Sequence, residues 1–365
     1  MQRTSIPLLA IGLVIAVFLA CRKDPSLPPA VPSSTISTVV FNIDSVPYAR
    51  LSQYHFFEGT MADLQPVDGV LPYAPITPAF GDYSSKARFV WMPPGRKASY
   101  VADGRSLEFP EGTVLIKTPY YDQVLPNHNR RVLDTRLMIK KNGTWVFAEY
   151  VWNVEQTEAY LDLNGVNVPL TWVDPDGQPH DELYHVPSEG ECGACHKYFD
   201  GRTPIGTKPQ NLNRTLTYSE GPMNQLAKWV AQGYLDNGYP ATIETVAKWD
   251  DPDEPMDRRV RAYLDMNCSH CHFAGGFCSY RPMRLDWQET ADPVNLGVCV
   301  PPQDPFAPGV DYIVHAGNAN RSMLYYRINS TEEAVRMPLL ERTVKHQEAV
   351  QLIGDWINSL PDTCQ

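Results

Sequence analysis

Two pentapeptides constrain this chain more than anything else in it: Cys192-Gly193-Ala194-Cys195-His196 and Cys268-Ser269-His270-Cys271-His272. Thiols separated by two residues can add to the two vinyl groups of one haem, and the next histidine is then placed to coordinate the iron from that side. With 8 Cys and 9 His in 365 residues, one such pentapeptide arises by chance in roughly one chain in a few hundred, and a pair far more rarely. A zinc site of two C-x-x-C knuckles, or a pair of dithiol redox motifs, accounts for the cysteines but not for a histidine directly after both. The chain is therefore expected to carry two covalently bound haem c groups. Cys192, Cys195, Cys268 and Cys271 attach them, and His196 and His272 bind the irons.

The N-terminus speaks about compartment. Arg3 precedes an apolar run from Ile6 to Ala20, too short to span a bilayer comfortably and built like a secretory signal, with a charge, an apolar core and a small residue at its end. Phe18-Leu19-Ala20-Cys21 resembles the lipobox of bacterial lipoproteins, with phenylalanine where leucine is commonest; the resemblance implies cleavage before Cys21 and lipidation of its thiol. Arg22-Lys23-Asp24 puts no aspartate directly after that position, which favours the outer membrane among envelope locations, facing the periplasm or the cell surface. The formal net charge of −11 becomes one unit more negative when Arg3 leaves with the signal, so nucleic acid is excluded as a natural partner.

A chain of 365 residues exceeds one small core, so two folded parts are expected after the signal. The division expected is a signal peptide over 1–20, a Pro- and Ser-rich lipidated tether over 21–45, a β-rich part carrying the first haem over 46–215, a helical connector over 216–252 and a second haem part over 253–362. The fold class is α+β: a mostly antiparallel β domain, then an all-α class I cytochrome c-like domain. Of the remaining cysteines, Cys278 and Cys299 flank a Pro- and Arg-containing loop, and in an oxidising compartment a disulfide between them is the simplest assignment. Cys364 is then the odd thiol, and its pairing with either of the others stays open.

In the C-terminal part, Met256, Val260, Tyr263 and Leu264 recur at helical spacing up to Cys268, and Val350, Ile353, Trp356, Ile357 and Leu360 share one face of a last helix. This arrangement resembles small cytochromes c, and VDYIVHAGNANRSMLYYRIN, RMP and DWINSL resemble the cytochrome domains of planctomycete and related bacterial proteins. The resemblance implies a methionine ligand in the loop before the last helix, often followed by proline. Met337 matches, with Met323 and His315 as substitutes. A thioether opposite a histidine favours Fe(II) and suits electron transfer.

Between residues 46 and 190, ARFVWM, GTVLIKT, TRLMIKK and TWVFAEYVW are rich in β-branched and aromatic residues, and Asn142-Gly143 between the last two is a strong hairpin signal. The first pentapeptide follows at once and is expected to lie against this sheet. FPEGTVLIKT, the hairpin with Trp145 and a late C-x-x-C-H are similar to the β-sheet cytochromes of the c-prime-beta type; that resemblance singles out Lys117 as a candidate for cross-linking to haem, against its plain reading as a solvated strand residue. His185, Met223 and Lys208 are candidate sixth ligands of the first haem, and the alternative is an open site able to bind peroxide, nitric oxide or oxygen. Asn224 to Leu235 reads as an amphipathic helix.

Over roughly residues 50–360, LSQYHFF, PYAPITPAFGDYSSKARFVWMPPG, FPEGTVLIKT, YVWNVEQTEAY, ECGACH, PIGTKPQNLNR and YLDMNCSHCH resemble a family of exported bacterial di-haem c-type cytochromes, some of whose members carry or accompany a quinoprotein sugar-dehydrogenase-like propeller. The expectation is an envelope electron carrier, bound to the membrane by its lipid and exchanging electrons with an exported dehydrogenase or another cytochrome. Two alternatives are a peroxidase-like or nitric-oxide-handling haem enzyme with an open first haem, and a surface-anchored binding protein whose haems are accessory.

Overall fold

Alternation of β-branched and aromatic residues with polar ones from Ser85 to Val186 produces the largest element, a nine-stranded antiparallel sheet. The computed structural model describes residues 37–304 and 307–364; the expected signal, Cys21 and the first part of the tether lie outside the described residues. A short hairpin, β1 (Phe57–Glu58) and β2 (Gln65–Pro66), precedes the sheet. The sheet itself comprises β3 (Leu71–Pro72), β4 (Ser85–Trp91), β5 (Val114–Val124), β6 (Asn129–Val132), β7 (Asp134–Lys141), β8 (Thr144–Trp152), β9 (Ala159–Leu161), β10 (Val166–Val173) and β11 (Pro179–Val186). Its order is β11-β10-β5-β7-β8-β9, and β5 also pairs with β4 and β6. Asn142 and Gly143, both at positive φ (54° and 74°), turn β7 into β8, the hairpin the sequence predicts.

Because strand residues alternate sides, the sheet presents two faces. Phe89, Val114, Ile116, Leu137, Ile139, Ala148 and Tyr150 pack on one face, with Tyr54 and Phe56 from the chain before the sheet. On the other, Val90, Leu115, Met138 and Phe147 form one cross-strand row within a core that includes Cys192, Leu212 and Trp229. The next row on this second face is Arg88, Lys117, Arg136 and Glu149, paired in that order across β4, β5, β7 and β8.

The chain leaves the sheet into α1 (Glu189–Cys195), which starts at a capping box formed by Ser188 and Glu191. Two hairpins follow, β12 (Lys197–Tyr198) with β13 (Gly201–Arg202) and β14 (Thr215–Tyr218) with β15 (Gly221–Asn224), and the short α2 (Pro209–Leu212) lies between them. The helix expected to run to Leu235 is shorter: α3 (Gln225–Ala231) is capped by the Asn224 side chain and stops where Gly233 takes φ 78°. Beyond it come α4 (Met256–Asn267), α5 (Met323–Ile328) and α6 (Gln347–Ser359), and no strand follows β15 among the described residues. Val260, Tyr263 and Leu264 of α4 share a core with Val350, Ile353, Trp356 and Ile357 of α6, as their spacing predicts; Met256, in the first turn, is exposed instead.

Residues 34–365 form one compact unit, so the sheet and the C-terminal helices pack together. Lys208 Nζ reaches Asp265 (2.6 Å) and Asp286 (2.7 Å), Asn267 Oδ1 accepts from the Phe80 N–H (2.8 Å), and the buried Asp82 carboxylate accepts from the N–H groups of Thr343 (2.8 Å) and Val344 (3.0 Å). No helix among the described residues is long and apolar enough to cross a membrane.

One cysteine assignment is corrected. Cys299 pairs with Cys364, Cα to Cα 5.0 Å, and not with Cys278. The reason is the path of the C-terminal tail. After α6 it returns along residues 315–317, where the Gly317 N–H donates to Ile357 O, and this sets Cys364 beside Cys299; Cys278 is buried next to Cys271. The bridge closes a span of 65 residues, and a loop of that size restricts the unfolded chain by up to about 4 kcal/mol. Cys364→Ser should lower stability in urea by up to that amount, and non-reducing peptide mapping of the parent should recover the 299–364 crosslink, with Cys278 in no disulfide.

Candidate functional site

The first pentapeptide is the end of α1 and the residue beyond it. The capping box fixes where the helix begins, and the helix lies on the second face of the sheet, so that the Cys192 thiol meets Glu149 Oε1 at 3.2 Å and the His196 ring stands 5.1 Å from Phe147. A cavity of about 110 Å³ opens here, walled by Cys192, Cys195 and His196 on one side and by the Arg88–Lys117–Arg136–Glu149 row on the other. The first motif rests against the sheet, and Lys117 lines the same cavity.

His196 is held as a ligating histidine would be. Its Nδ1 pairs with the Thr203 carbonyl at 2.8 Å, which makes Nδ1 the donor and leaves the Nε2 lone pair free. Burial pushes its pKa down to about 4, so the ring is neutral at physiological pH. Burial likewise pushes Glu149 up to about 8 and the Cys192 thiol upward, helped in the thiol's case by the Glu149 charge.

Of the wall's cations, Arg88 reaches the Lys86 carbonyl at 3.5 Å; Lys86, two residues along the same strand and outside this wall, donates to Ser84 O (2.9 Å) and Ser84 Oγ (3.2 Å). Arg136 holds Asp134 Oδ2 (2.6 Å) and Glu341, and Lys117 reaches Glu341 at 3.2 Å. Burial lowers Lys86 to about 7, and the charges of Arg88 and Lys117 add to that shift. Despite its burial, Glu341 is held well below the usual carboxylate range by Arg136 and Lys117. Such a wall suits a ligand that brings carboxylates of its own.

The second pentapeptide caps α4. Cys268 and His272 line a cavity of about 270 Å³, together with Leu285, Leu296, Ile313, Met323 and Met337. His272 is buried, its Nδ1 has no hydrogen-bond partner among the described residues, and burial with the nearby cations lowers its pKa to about 4. Met337 and Met323 both offer a thioether to this cavity, whereas His315 lies outside its walls, buried against Tyr312.

The bent segment from Met337 to Glu341 contributes to both cavities. Met337 and Leu339 face the larger one; Pro338, Leu340 and Glu341 face the smaller. The segment is tied down at both ends, by Arg342 Nη1 on the Met337 carbonyl (2.5 Å) and by Glu341 on the sheet.

None of the three candidate sixth ligands for the first site lines its cavity. His185 is engaged by Asn167 and Glu191, Lys208 by its two aspartates, and Met223 is exposed on β15. The imidazole that does line it is His270, from inside the second pentapeptide. One nitrogen of His270, Cys195 Sγ and Cys271 Sγ all lie within 4.8 Å of one another. The neighbouring Cys271 thiol lowers Cys195 to about 5 and is itself raised; Cys278, lowered to about 7 by Cys271, lies against it in turn, and all three are free thiols. The sequence carried one sign of this: a histidine at a spacer position of C-x-x-C-H is too close to its own cysteines to serve that haem and is free to serve another. Compared with known protein families, with curated proteins and with solved structures, the chain matches none.

Two outcomes follow. Glu341→Gln takes the carboxylate from Lys117 and one of three from Arg136 in a half-buried wall and should cost about 1–3 kcal/mol in urea unfolding. For the polypeptide alone, Lys86 gives up its proton near pH 7 when folded and near 10.5 when unfolded, so the unfolded state binds more protons between those values and stability should rise with pH there. Lys86→Met should flatten that rise in a pH series of unfolding curves.

Proposed function

We propose that this protein is a di-haem c-type cytochrome that carries electrons in the cell envelope, held to the membrane by a lipid on Cys21 and exchanging electrons with an exported dehydrogenase or another cytochrome. The observation that carries the reading is that Cys192, Cys195 and His196 line one cavity, beside a row of cations, and Cys268 and His272 line another together with Met337. Haem supplies reversible one-electron chemistry when bound. At the first site Cys192 and Cys195 would attach it, His196 would offer Nε2, and Arg88, Lys117 and Arg136 would face its propionates. At the second, Cys268 and Cys271 would attach it, His272 and Met337 would be its ligands, and Leu285, Leu296 and Ile313 would meet its apolar body. The packing of α4 on α6, with α5 lining the larger cavity, fits a cytochrome c-like domain, and the resemblance to exported di-haem cytochromes belongs to the same proposal.

A second reading has an observation of its own. Cys195, His270 and Cys271, with Cys278 beside Cys271, could hold a zinc ion in a Cys₃His set. It stands second because it gives Cys192, His196, Cys268 and His272 no task.

Expression with a haem-attachment apparatus separates the two. Pyridine haemochrome and metal analysis should give two haems and no zinc per chain; one zinc and no haem would transfer the assignment to the second reading. Met337→Ala should abolish the methionine ligand field of one haem and lower its potential, and an unchanged spectrum would remove Met337 from the axial pair. An electron carrier should stay low-spin and inert to carbon monoxide when reduced, whereas carbon monoxide binding at the first haem would favour the haem-enzyme alternative.

A further inference from the structure

We propose that Cys195 and Cys271, with the His270 imidazole against both sulfurs, form the contact at which the two haems of this chain meet, so that electrons pass between the two sites within one molecule. This rests on the di-haem reading above. It goes beyond that reading by naming where the sites touch and by giving His270 a role as a positioning residue between them.

The argument starts from what a thioether sulfur marks. In a haem c the second cysteine of each pentapeptide is bonded to a carbon borne by the porphyrin edge, so the position of each sulfur fixes the position of an edge. Here the two sulfurs and one His270 nitrogen are within 4.8 Å of one another. Those two edge carbons are therefore separated by at most that gap and two carbon–sulfur bonds. The His270 imidazole is the side chain that stands against both sulfurs. A further cavity of about 70 Å³ is lined by Cys195, His270, Cys271 and His272 together, so residues of both pentapeptides share one space at this place.

The fold enforces the contact from several directions. Lys208, on the loop after the first pentapeptide, grips Asp265 of α4, three residues before Cys268, and Asn267 holds the Phe80 N–H. Phe199, following the first pentapeptide, donates its N–H to the Gly275 carbonyl, following the second, at 2.8 Å. Tyr198 stacks on Phe273 with centroids 5.6 Å apart. These ties leave His270 on the wall of the first cavity although it belongs to the second motif.

The redox step balances within the chain. One haem goes from Fe(II) to Fe(III) as the other goes from Fe(III) to Fe(II), with no proton or third reactant required. An oxidised, more positive neighbour at this range also raises the potential of the haem still to be oxidised, so the two cannot titrate independently.

The experiment uses the full matured chain, the C268A/C271A and C192A/C195A variants that each keep one site, and H270Q. Haem count by pyridine haemochrome is taken first; absence of haem from the parent would defeat the di-haem reading itself. With two haems present, the parent's potentiometric titration and its electron paramagnetic resonance spectrum are compared with the sum of the single-haem variants. The expected result is a parent that is not that sum, with one ferric signal relaxing faster when the other haem is oxidised, and an H270Q protein that keeps two haems but shifts both midpoints. Should a double-alanine variant lose both haems, the relaxation measurement on the parent carries the test unaided. A parent equal to the sum, or relaxation indifferent to the state of the other haem, together with an H270Q shift confined to the second haem, would overturn the proposal.

Discussion

Glu341 places its carboxylate between Lys117 and Arg136, and the arrangement of both cavities depends on that contact. Three cations in one cross-strand row of a covered sheet face are costly without counter-charge, because charge is poorly screened there, and Glu149 and Asp134 reach only Arg136. Glu341 supplies its carboxylate from a segment more than two hundred residues away in sequence, and in doing so it pins the stretch from Met337 that contributes to both cavities. The same stretch offers Met337 to one cavity and Leu340 to the other. A shift of one residue along it would exchange those faces.

The sheet contributes through its period of two. Val90, Leu115, Met138 and Phe147 form an apolar row, and the adjacent row on the same face is Arg88, Lys117, Arg136 and Glu149. Motif one sits where the apolar row gives way to the charged one. A planar macrocycle with an apolar body and acidic substituents is the kind of ligand such a boundary would take, which is why the proposed haem and the observed wall agree in character.

Much of this was legible beforehand. The strands, the Asn142-Gly143 hairpin and the faces of α4 and α6 all follow from local pattern, since each depends on residues a few positions apart. The misses are of another kind. Cys299 takes Cys364 and not Cys278 because the tail folds back, a fact about chain path that no spacing encodes. The amphipathic run toward Leu235 ends early because Gly233 leaves the helix, and Met256 is exposed because the first turn of α4 projects past the core. His270 was read as a spacer since its partners lie in the other half of the chain.

The amino-acid sequence alone determined the donor sets, two C-x-x-C-H pentapeptides with their thiols and imidazoles, and the period-two and helical patterns that bring each to the end of a helix, because covalent spacing and backbone geometry are local. Only the tertiary structure decided which surfaces those sets face and that Cys195, His270 and Cys271 converge. That convergence is fixed by the burial of the Arg88–Arg136 row and by contacts between segments far apart in the chain, whose pairing is chosen by total packing and charge compensation and by no single stretch of residues.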